Sequence, residues 1–503
     1  FEKVIKIDPN HINALNNLGA VLQDLGEHQK AKDCFEKVIK IDPNYVAAFN
    51  NLGSIFFESG EYQKAEDYYK KAIVVKPNYA NSLNNLGSTY LELEEYHKAK
   101  SCYEKAIVVN PNYISAYNNL GIIFDKLGDW QNAMDCYQKV LEINPEATTI
   151  LINLSNLIKS YTFLNLSKKK SKSYKELFLF LYRKNNIDHK GLSSNAKKLI
   201  FFESAKSEIQ QVMSSEYSLL KNEFTQNLLK EELFHLMLQK SLIADIFLEK
   251  LLNKIRCEIL FIIDGYNKNA LKEYFNFIIS LAEQCWLNEY IYFQSDKEIN
   301  HINKLRQKIE SDQKINELEV AILGCYTPLN SSKTITQKLL DYKSTNSLFN
   351  DLISMQIKEP LREKELVKSI ESLDEITDPV SKKVQEQYEE HPYPRWRYTD
   401  EIYKSHFLLT IKRAIKPNRI DHNDKFDNPN VLIAGCGTGR HPITTARYKN
   451  ANILGVDLSL TSLAYAKRKT EELGFKNIRY LHADILELKK LNRKFDIIES
   501  VGT

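Results

Sequence analysis

The sequence predicts a multidomain chain: an all-α solenoid of short repeats, an all-α middle domain, and the N-terminal part of a parallel α/β domain. Three observations predict it. Prolines fall at Pro9, Pro43, Pro77, Pro111 and Pro145, 34 residues apart each time. Glycine almost vanishes from Glu176 to about Pro379, where Leu, Ile, Phe, Lys and Glu recur at helical spacing. Val431 to Asp457 then reads as an apolar strand, a glycine-rich turn, a helix, and a second apolar strand ending in an acid.

The repeats come first. Asn-Leu-Gly returns with the proline period at Gly19, Gly53, Gly87 and Gly121, as do Ala31, Ala65, Ala99 and Ala133, and the aromatics Phe35, Tyr69, Tyr103 and Tyr137. A 34-residue period with this small and aromatic pattern is the tetratricopeptide (TPR) signature, two antiparallel helices per unit. Proline stops the second helix. Four full repeats are expected from Ile12 to Ala147, after the tail of an earlier one at Phe1 to His11. Thr148 to Ile158 keeps first-helix spacing and is expected to cap the array. Gly26, Gly60 and Gly128 mark the turn between helices. Glu94 stands there in the third repeat, so a less regular turn is expected.

One column stands out as a candidate binding surface. Asn17, Asn51, Asn85, Asn119 and Asn153 recur at one point of each first helix. In stacked repeats that helix lines the concave wall. An amide both donates and accepts, so a column of them suits an extended peptide of any sequence. It equally suits satisfying groups between repeats, and the neighbouring Asn16, Asn50, Asn84 and Asn118 compete for either role. The repeats resemble those of the O-linked N-acetylglucosamine transferases, where such a column holds a peptide. That resemblance implies a protein or peptide partner on the concave face. No catalytic domain of that kind is recognisable downstream.

Composition narrows the classes. At 503 residues there is room for about two to four domains. A formal charge of +4 makes no electrostatic case for nucleic acid. Seven cysteines without a C-x-x-C indicate neither a zinc ribbon nor a disulfide framework. Cys34, Cys102 and Cys136 share one repeat position, as small core residues of a reducing, cytoplasmic compartment do. No apolar run is long enough to span a membrane. The expected division is repeats over 1–158, a basic linker over 159–175, a helical domain over 176–380, and the C-terminal domain over 381–503.

The segment Ala282 to Tyr290 combines an apolar face with Glu283, Asn288 and Glu289. It resembles a stretch of proteins that fuse such repeats to a methyltransferase, with no chemistry attached. His235 and His301 read as structural or exposed. Val384 to Tyr398 holds Pro392 and Pro394, which end the helix carrying Tyr388 and leave Tyr393, Trp396 and Tyr398 in an extended segment.

The turn itself is Gly435-Cys436-Gly437-Thr438-Gly439. Glycine permits φ > 0 and lets backbone N–H groups approach a ligand. Asp457 follows at the distance from which an acid accepts from ribose hydroxyls; it also suits an N-cap before Leu458-Ser459. A dinucleotide fingerprint fails at Arg440 or Pro442, which disfavours NAD. A P-loop fails too, lacking Gly-Lys-Ser/Thr at 440–442. Here the chain resembles the class I S-adenosyl-L-methionine (SAM)-dependent methyltransferases, whose first motif ends in G-x-G-x-G. A third strand, Asn477 to Leu481, with His482-Ala483-Asp484, and a fourth, Phe495 to Glu499, follow in the family's order.

The resemblance implies a Rossmann-like domain and SAM as cofactor. It places Gly435, Cys436, Gly437, Thr438, Gly439, Asp457, Leu458, Ala483 and Asp484 around SAM. It puts Tyr388 near the cofactor and Arg395 or Trp396 near the substrate mouth. Asp484 also suits a turn cap. Ile433 stands where the family often has an acid. His391 and His441 are candidate bases. The chain opens mid-repeat and closes directly after the fourth strand, so a C-terminally incomplete methyltransferase domain that binds SAM weakly is expected. The rival expectation is a TPR protein-binding scaffold with a degenerate nucleoside-binding domain.

Overall fold

The computed structural model describes residues 1–161, 168–201, 209–211, 213, 218–263, 268–390, 395–399 and 428–500. His391, Pro392, Tyr393 and Pro394 lie outside them. The chain forms two compact units, Phe1–Leu164 and Asn165–Thr503.

The first unit is the repeat array. After α1 (Glu2–Ile7) come four helix pairs: α2 (Ile12–Asp24) with α3 (His28–Ile41), α4 (Val46–Glu58) with α5 (Tyr62–Val75), α6 (Ala80–Glu92) with α7 (Tyr96–Val109), and α8 (Ile114–Lys126) with α9 (Trp130–Ile143). A single 3-10 turn, Thr148–Ile150, leads into α10 (Leu151–Ser160). The residue before each proline is extended: Asp8, Asp42, Lys76, Asn110 and Asn144 have φ from −127° to −140° and ψ from 93° to 99°. The Asn-Leu-Gly glycine and the aromatic explain each other. A Cβ on Gly19, Gly53, Gly87 or Gly121 would lie 2.6–2.7 Å from the ring of Phe35, Tyr69, Tyr103 or Tyr137. The rings fill the space that the missing Cβ leaves.

The third turn corrects the expectation of irregularity. Glu94 adopts φ +61°, close to the +76° to +78° of Gly26, Gly60 and Gly128. Packing of α6 on α7 imposes the left-handed turn on a residue that dislikes it.

The second unit opens with helices. Of the expected linker, residues 168–175 belong to a helix, Lys168–Arg183. Tyr174, Leu177, Phe178 and Leu181 give that helix a buried face, which is why it packs. The helix Phe275–Leu287 is buried on every side from Phe277 onward, Glu283 and Gln284 included. The sequence suggested one apolar face; the helix is instead a central one, touching the helices Glu232–Lys240, Glu317–Gly324 and Ser347–Ile353. Just beyond it, Glu289 and Tyr290 sit at φ +57° and +59°.

The unit ends in a parallel five-stranded sheet, typical of a partial Rossmann-like fold. The strands are β1 (Glu371–Ser372), β2 (Asn430–Ala434), β3 (Asn452–Asp457), β4 (Ile478–His482) and β5 (Ile497–Ser500), ordered β1-β4-β3-β2-β5. Register runs Val431↔Ile453, Ile453↔Ile478 and Val431↔Ile497. The two-residue β1 comes from the chain leaving the middle helices and covers the edge of β4. One sheet face packs Val431, Ile433, Ile453 and Tyr480 against Ile443, Leu463 and Ala466.

Candidate functional site

The site lies at the C-terminal ends of β2, β3 and β4, where open parallel sheets place ligands. The β2 strand runs into the turn, with Gly435 at φ +70°, Gly437 at +50° and Gly439 at +83°. Each glycine's role is different. A Cβ on Gly439 would come within 2.8 Å of the Ala466 backbone, so glycine there lets the helix Arg440–Thr445 pack tightly. A Cβ on Gly437 would meet nothing within 4 Å. That side of the turn is open to a ligand.

Asp457 ends β3 beside that opening. Its Oδ2 accepts from Gly437 N at 2.7 Å, and its Oδ1 from Ser459 N at 3.0 Å. Burial pushes its carboxyl up, against these backbone bonds. Leu458 is a third backbone donor to it, and a carboxylate's roughly four lone-pair sites leave room for one more donor, which suits a ribose hydroxyl. Asp457 is not the cap of the helix Leu460–Glu472; Ser459 is, accepting from Ser462 N. Leu458 follows half-buried. Ala483 is buried and donates its N–H to Asp457 O at 3.1 Å. Asp484 is buried too, and its Oδ1 accepts from Leu486 N at 2.9 Å. It therefore caps the following 3-10 turn with at least one oxygen.

The structure brings together the turn, Asp457, Leu458 and Ala483. Tyr388 stands at their rim: its side chain is exposed, while its carbonyl accepts from Ser459 Oγ at 3.1 Å. Two residues that sequence reasoning left without a role join it. Glu389 accepts from Leu460 N at 2.6 Å and Thr461 N at 3.2 Å, which holds the helix Pro379–Glu390 to the N-terminus of the helix Leu460–Glu472. His482 Nε2 lies 2.9 Å from Leu458 O and 3.2 Å from Gln385 Nε2, and its Nδ1 lies 3.0 Å from Ser372 Oγ. Its place before Ala483-Asp484 was the available signal; Glu389 offered none.

One expectation changes. Trp396 is not at a substrate mouth. It is 5% exposed and belongs to the core under the turn, because its indole finds apolar cover there and a carbonyl for its N–H. Ile433 is fully buried in the same core, so the position where the family often has an acid is a packing position here. His441 is tied down: its Nε2 lies 2.6 Å from Glu499 Oε2, which also accepts from Thr445 Oγ1 at 3.0 Å. Arg440 pairs with Asp188 of the helical part.

The Asn column forms a ladder between repeats. Asn51 Nδ2 donates to Asn16 Oδ1 at 3.3 Å, Asn85 to Asn50 at 3.1 Å, Asn119 to Asn84 at 3.2 Å, and Asn153 to Asn118 at 3.1 Å. Asn17 is exposed. Each bond occupies one of the two N–H groups of the donating amide. Among the described residues no cluster of three or more His, Cys, Asp or Glu is arranged for a metal, and no helix is long and apolar enough to cross a membrane.

The fold is a helical repeat array followed, at the chain's end, by a partial Rossmann-like sheet, and comparison with known proteins gives the family of each. Residues 431–503 match the methyltransferase domain family. Residues 10–75, 80–113 and 114–146 match tetratricopeptide repeats. The chain is thus an N-terminal TPR region fused to a C-terminal methyltransferase-family domain. It is similar to an uncharacterized protein, RP789, of Rickettsia prowazekii, 32% identical over 112 residues, 22% of this chain and 19% of the relative. It is also similar to a tRNA (guanine-N(7)-)-methyltransferase of Rubrobacter xylanophilus, 42% identical over 66 residues, 13% of this chain and 30% of the relative. The matches span less than a third of either relative's length. Among solved structures, one of MamA is 32% identical, covering 29% of this chain and 86% of that one, with a TM-score of 0.27.

Proposed function

We propose that the protein is a recruiting scaffold: the TPR region, 1–158, holds an extended stretch of a partner protein, and the C-terminal domain, 381–503, is a nucleoside-binding module of the methyltransferase kind, with the helical part, 176–380, between. The observation that carries the first half is the amide ladder. It aligns Asn51, Asn85, Asn119 and Asn153 in one register and leaves each a second N–H. Such a row reads main chain rather than side chains. The α2, α4, α6 and α8 helices touch in sequence, as the inner wall of a TPR superhelix does.

A second reading adds SAM-dependent methyl transfer to the recruited protein. The open side of Gly437 next to the Asp457 carboxylate favours it. When bound, SAM supplies an activated methyl group, so the residues around it need only hold donor and acceptor in line. Asp457 would hold the ribose, Gly437 would admit the amino acid part, and Asp484 would face the adenine.

Calorimetric titration of SAM into the chain, with NAD as control and Asp457→Asn alongside, tests the module. SAM binding that the substitution weakens at least tenfold supports it. Binding of neither nucleoside by folded protein leaves the scaffold alone. Methyl incorporation from labelled SAM into a captured partner then decides between the two readings.

A further inference from the structure

The helical part and the glycine turn are joined by a short strap in which Arg395, Arg397 and Tyr398 meet the helices and Trp396 meets the turn. We propose that this strap is a positioning element for the cofactor turn: Trp396 is the positioning residue, and Glu283 and Glu289 of the buried Ala282–Tyr290 segment are its anchors. The proposal rests on the nucleoside-binding reading above and says what sets the shape of that site.

Arg395 and Arg397 point into the helices. The Arg395 guanidinium lies 4.4 Å from the ring centre of Trp286, and its Nε is 3.6 Å from Glu289 Oε1. The Nη1 of Arg397 is 3.3 Å from Glu283 Oε2 and donates to Gln239 O at 3.3 Å. Glu283 is only 2% exposed, and a buried carboxylate of that kind needs a partner. Tyr398 closes the row, edge-on to His189 at 5.2 Å and under Lys240 Nζ at 4.6 Å.

Trp396 points the other way. Its backbone N–H donates to the Tyr465 hydroxyl at 3.0 Å, and that hydroxyl donates to the Trp396 carbonyl. Lys469 donates to the Arg397 carbonyl at 2.9 Å and stands 5.2 Å from the Trp396 ring centre. The indole Nε1 donates to Thr438 O at 3.0 Å. Thr438 lies between Gly437 and Gly439, so the turn is gripped from two sides: Asp457 takes the Gly437 N–H, and Trp396 takes hold of the next carbonyl. Three residues at positive φ are intrinsically loose; these two bonds add to those that Gly435 N and Cys436 N donate to Val456 O and Gly439 N donates to Cys436 O.

The backbone at the anchor is itself unusual. Glu289 and Tyr290 are consecutive non-glycine residues at positive φ, a conformation that persists where surroundings impose it. Tyr290 N donates to Cys285 O at 2.9 Å and to Asn288 Oδ1 at 3.1 Å, and its hydroxyl donates to Gly324 O at 3.3 Å. The bend aims the Glu289 carboxylate at Arg395. The helical part is thereby a brace for the cofactor turn.

Trp396→Phe keeps a ring and removes the N–H. Glu289→Gln keeps the shape of the anchor and removes its charge. Each is compared with wild type in the full chain by amide hydrogen exchange without ligand, by SAM titration, and by urea midpoint. Faster exchange at Gly437 and Gly439 in both variants is expected, with exchange in the helix Phe275–Leu287 unchanged. Loss of one such bond should weaken SAM by roughly 3- to 10-fold in Trp396→Phe. If wild type binds no SAM, the nucleoside reading falls, and exchange at the turn still decides the strap. Unchanged exchange at the turn in Trp396→Phe, or loosening by Trp396→Phe with none by Glu289→Gln, overturns the proposal.

Discussion

Gly53 lies directly under Tyr69: a Cβ built on it would sit 2.6 Å from the ring's Cε1. Tyr69 is 2% exposed, and its hydroxyl is held by Ser54 Oγ at 3.2 Å, so the ring has nowhere to go. Overpacking of this kind destabilises by about 1–3 kcal/mol. It should exceed the roughly 1 kcal/mol that alanine gains over glycine inside a helix. Gly53→Ala is therefore expected to lower the urea midpoint of the repeat array. Adding Tyr69→Leu should recover part of the loss; strict additivity of the two would mean the contact is not the cause.

Glu94 makes the opposite case. It occupies at φ +61° a turn position where three sister repeats use glycine. The left-handed conformation costs a non-glycine residue roughly 1–2 kcal/mol, part of which glycine returns as unfolded-chain entropy. Glu94→Gly should raise the thermal midpoint, while Gly60→Glu should lower it. A fall on Glu94→Gly would show that the side chain contributes something the backbone does not reveal.

The amide ladder makes unequal demands on its members. Asn50 Oδ1 accepts from Asn85 and also from Ser82 Oγ at 3.0 Å. The buried Asn84 Oδ1 has only Asn119 as donor among the described bonds. Leaving a buried acceptor unmet costs about 1–3 kcal/mol, against about 1 for an ordinary lost bond. Asn119→Ala should thus destabilise the array more than Asn85→Ala in chemical denaturation. Equal losses would mean that water enters the Asn84 site.

Acid should uncouple the helix Arg440–Thr445 from β5. The hydrogen bond from His441, first among several causes, holds the Glu499 carboxyl below its ordinary value of 4.5. A depressed folded-state value stabilises the fold above the unfolded value and loses that effect as pH falls through the folded one. Wild type should therefore exceed Glu499→Gln in urea midpoint at neutral pH. The gap should narrow below about pH 4.5, where the carboxylate takes up its proton. A gap that stays constant into that range would remove the pair as a source of stability.

Much of the candidate site was legible from residue type and spacing. The turn Gly435 to Gly439, Asp457 and Ala483 come together because strands of five or six residues and short crossovers leave the chain little choice. Trp396 was legible only as an aromatic in an extended segment. Its partners Thr438 and Tyr465 are 42 and 69 residues away, and nothing local says which side of the strap faces the turn. His441 was legible as an imidazole, but its engagement with Glu499 spans 58 residues.

What the sequence determined by itself is whatever depends on neighbours within a turn or a repeat. The 34-residue helix pairs, the glycine-for-aromatic fit within each, the extended residue before each proline, and the positive-φ turn after β2 all follow from sterics a few bonds or one repeat wide. The tertiary structure decided the rest: that the Asn amides bond one repeat to the next, that Glu94 takes a glycine's conformation, that residues 168–183 are helical, that Glu283 is buried against Arg397, and that Trp396 turns inward to Thr438. For the amides, Glu283 and Trp396 the polar group has several partners of suitable chemistry along the chain. Which one it meets is set by packing, because a buried donor, acceptor or charge must be satisfied by whatever the fold brings within about 3 Å of it.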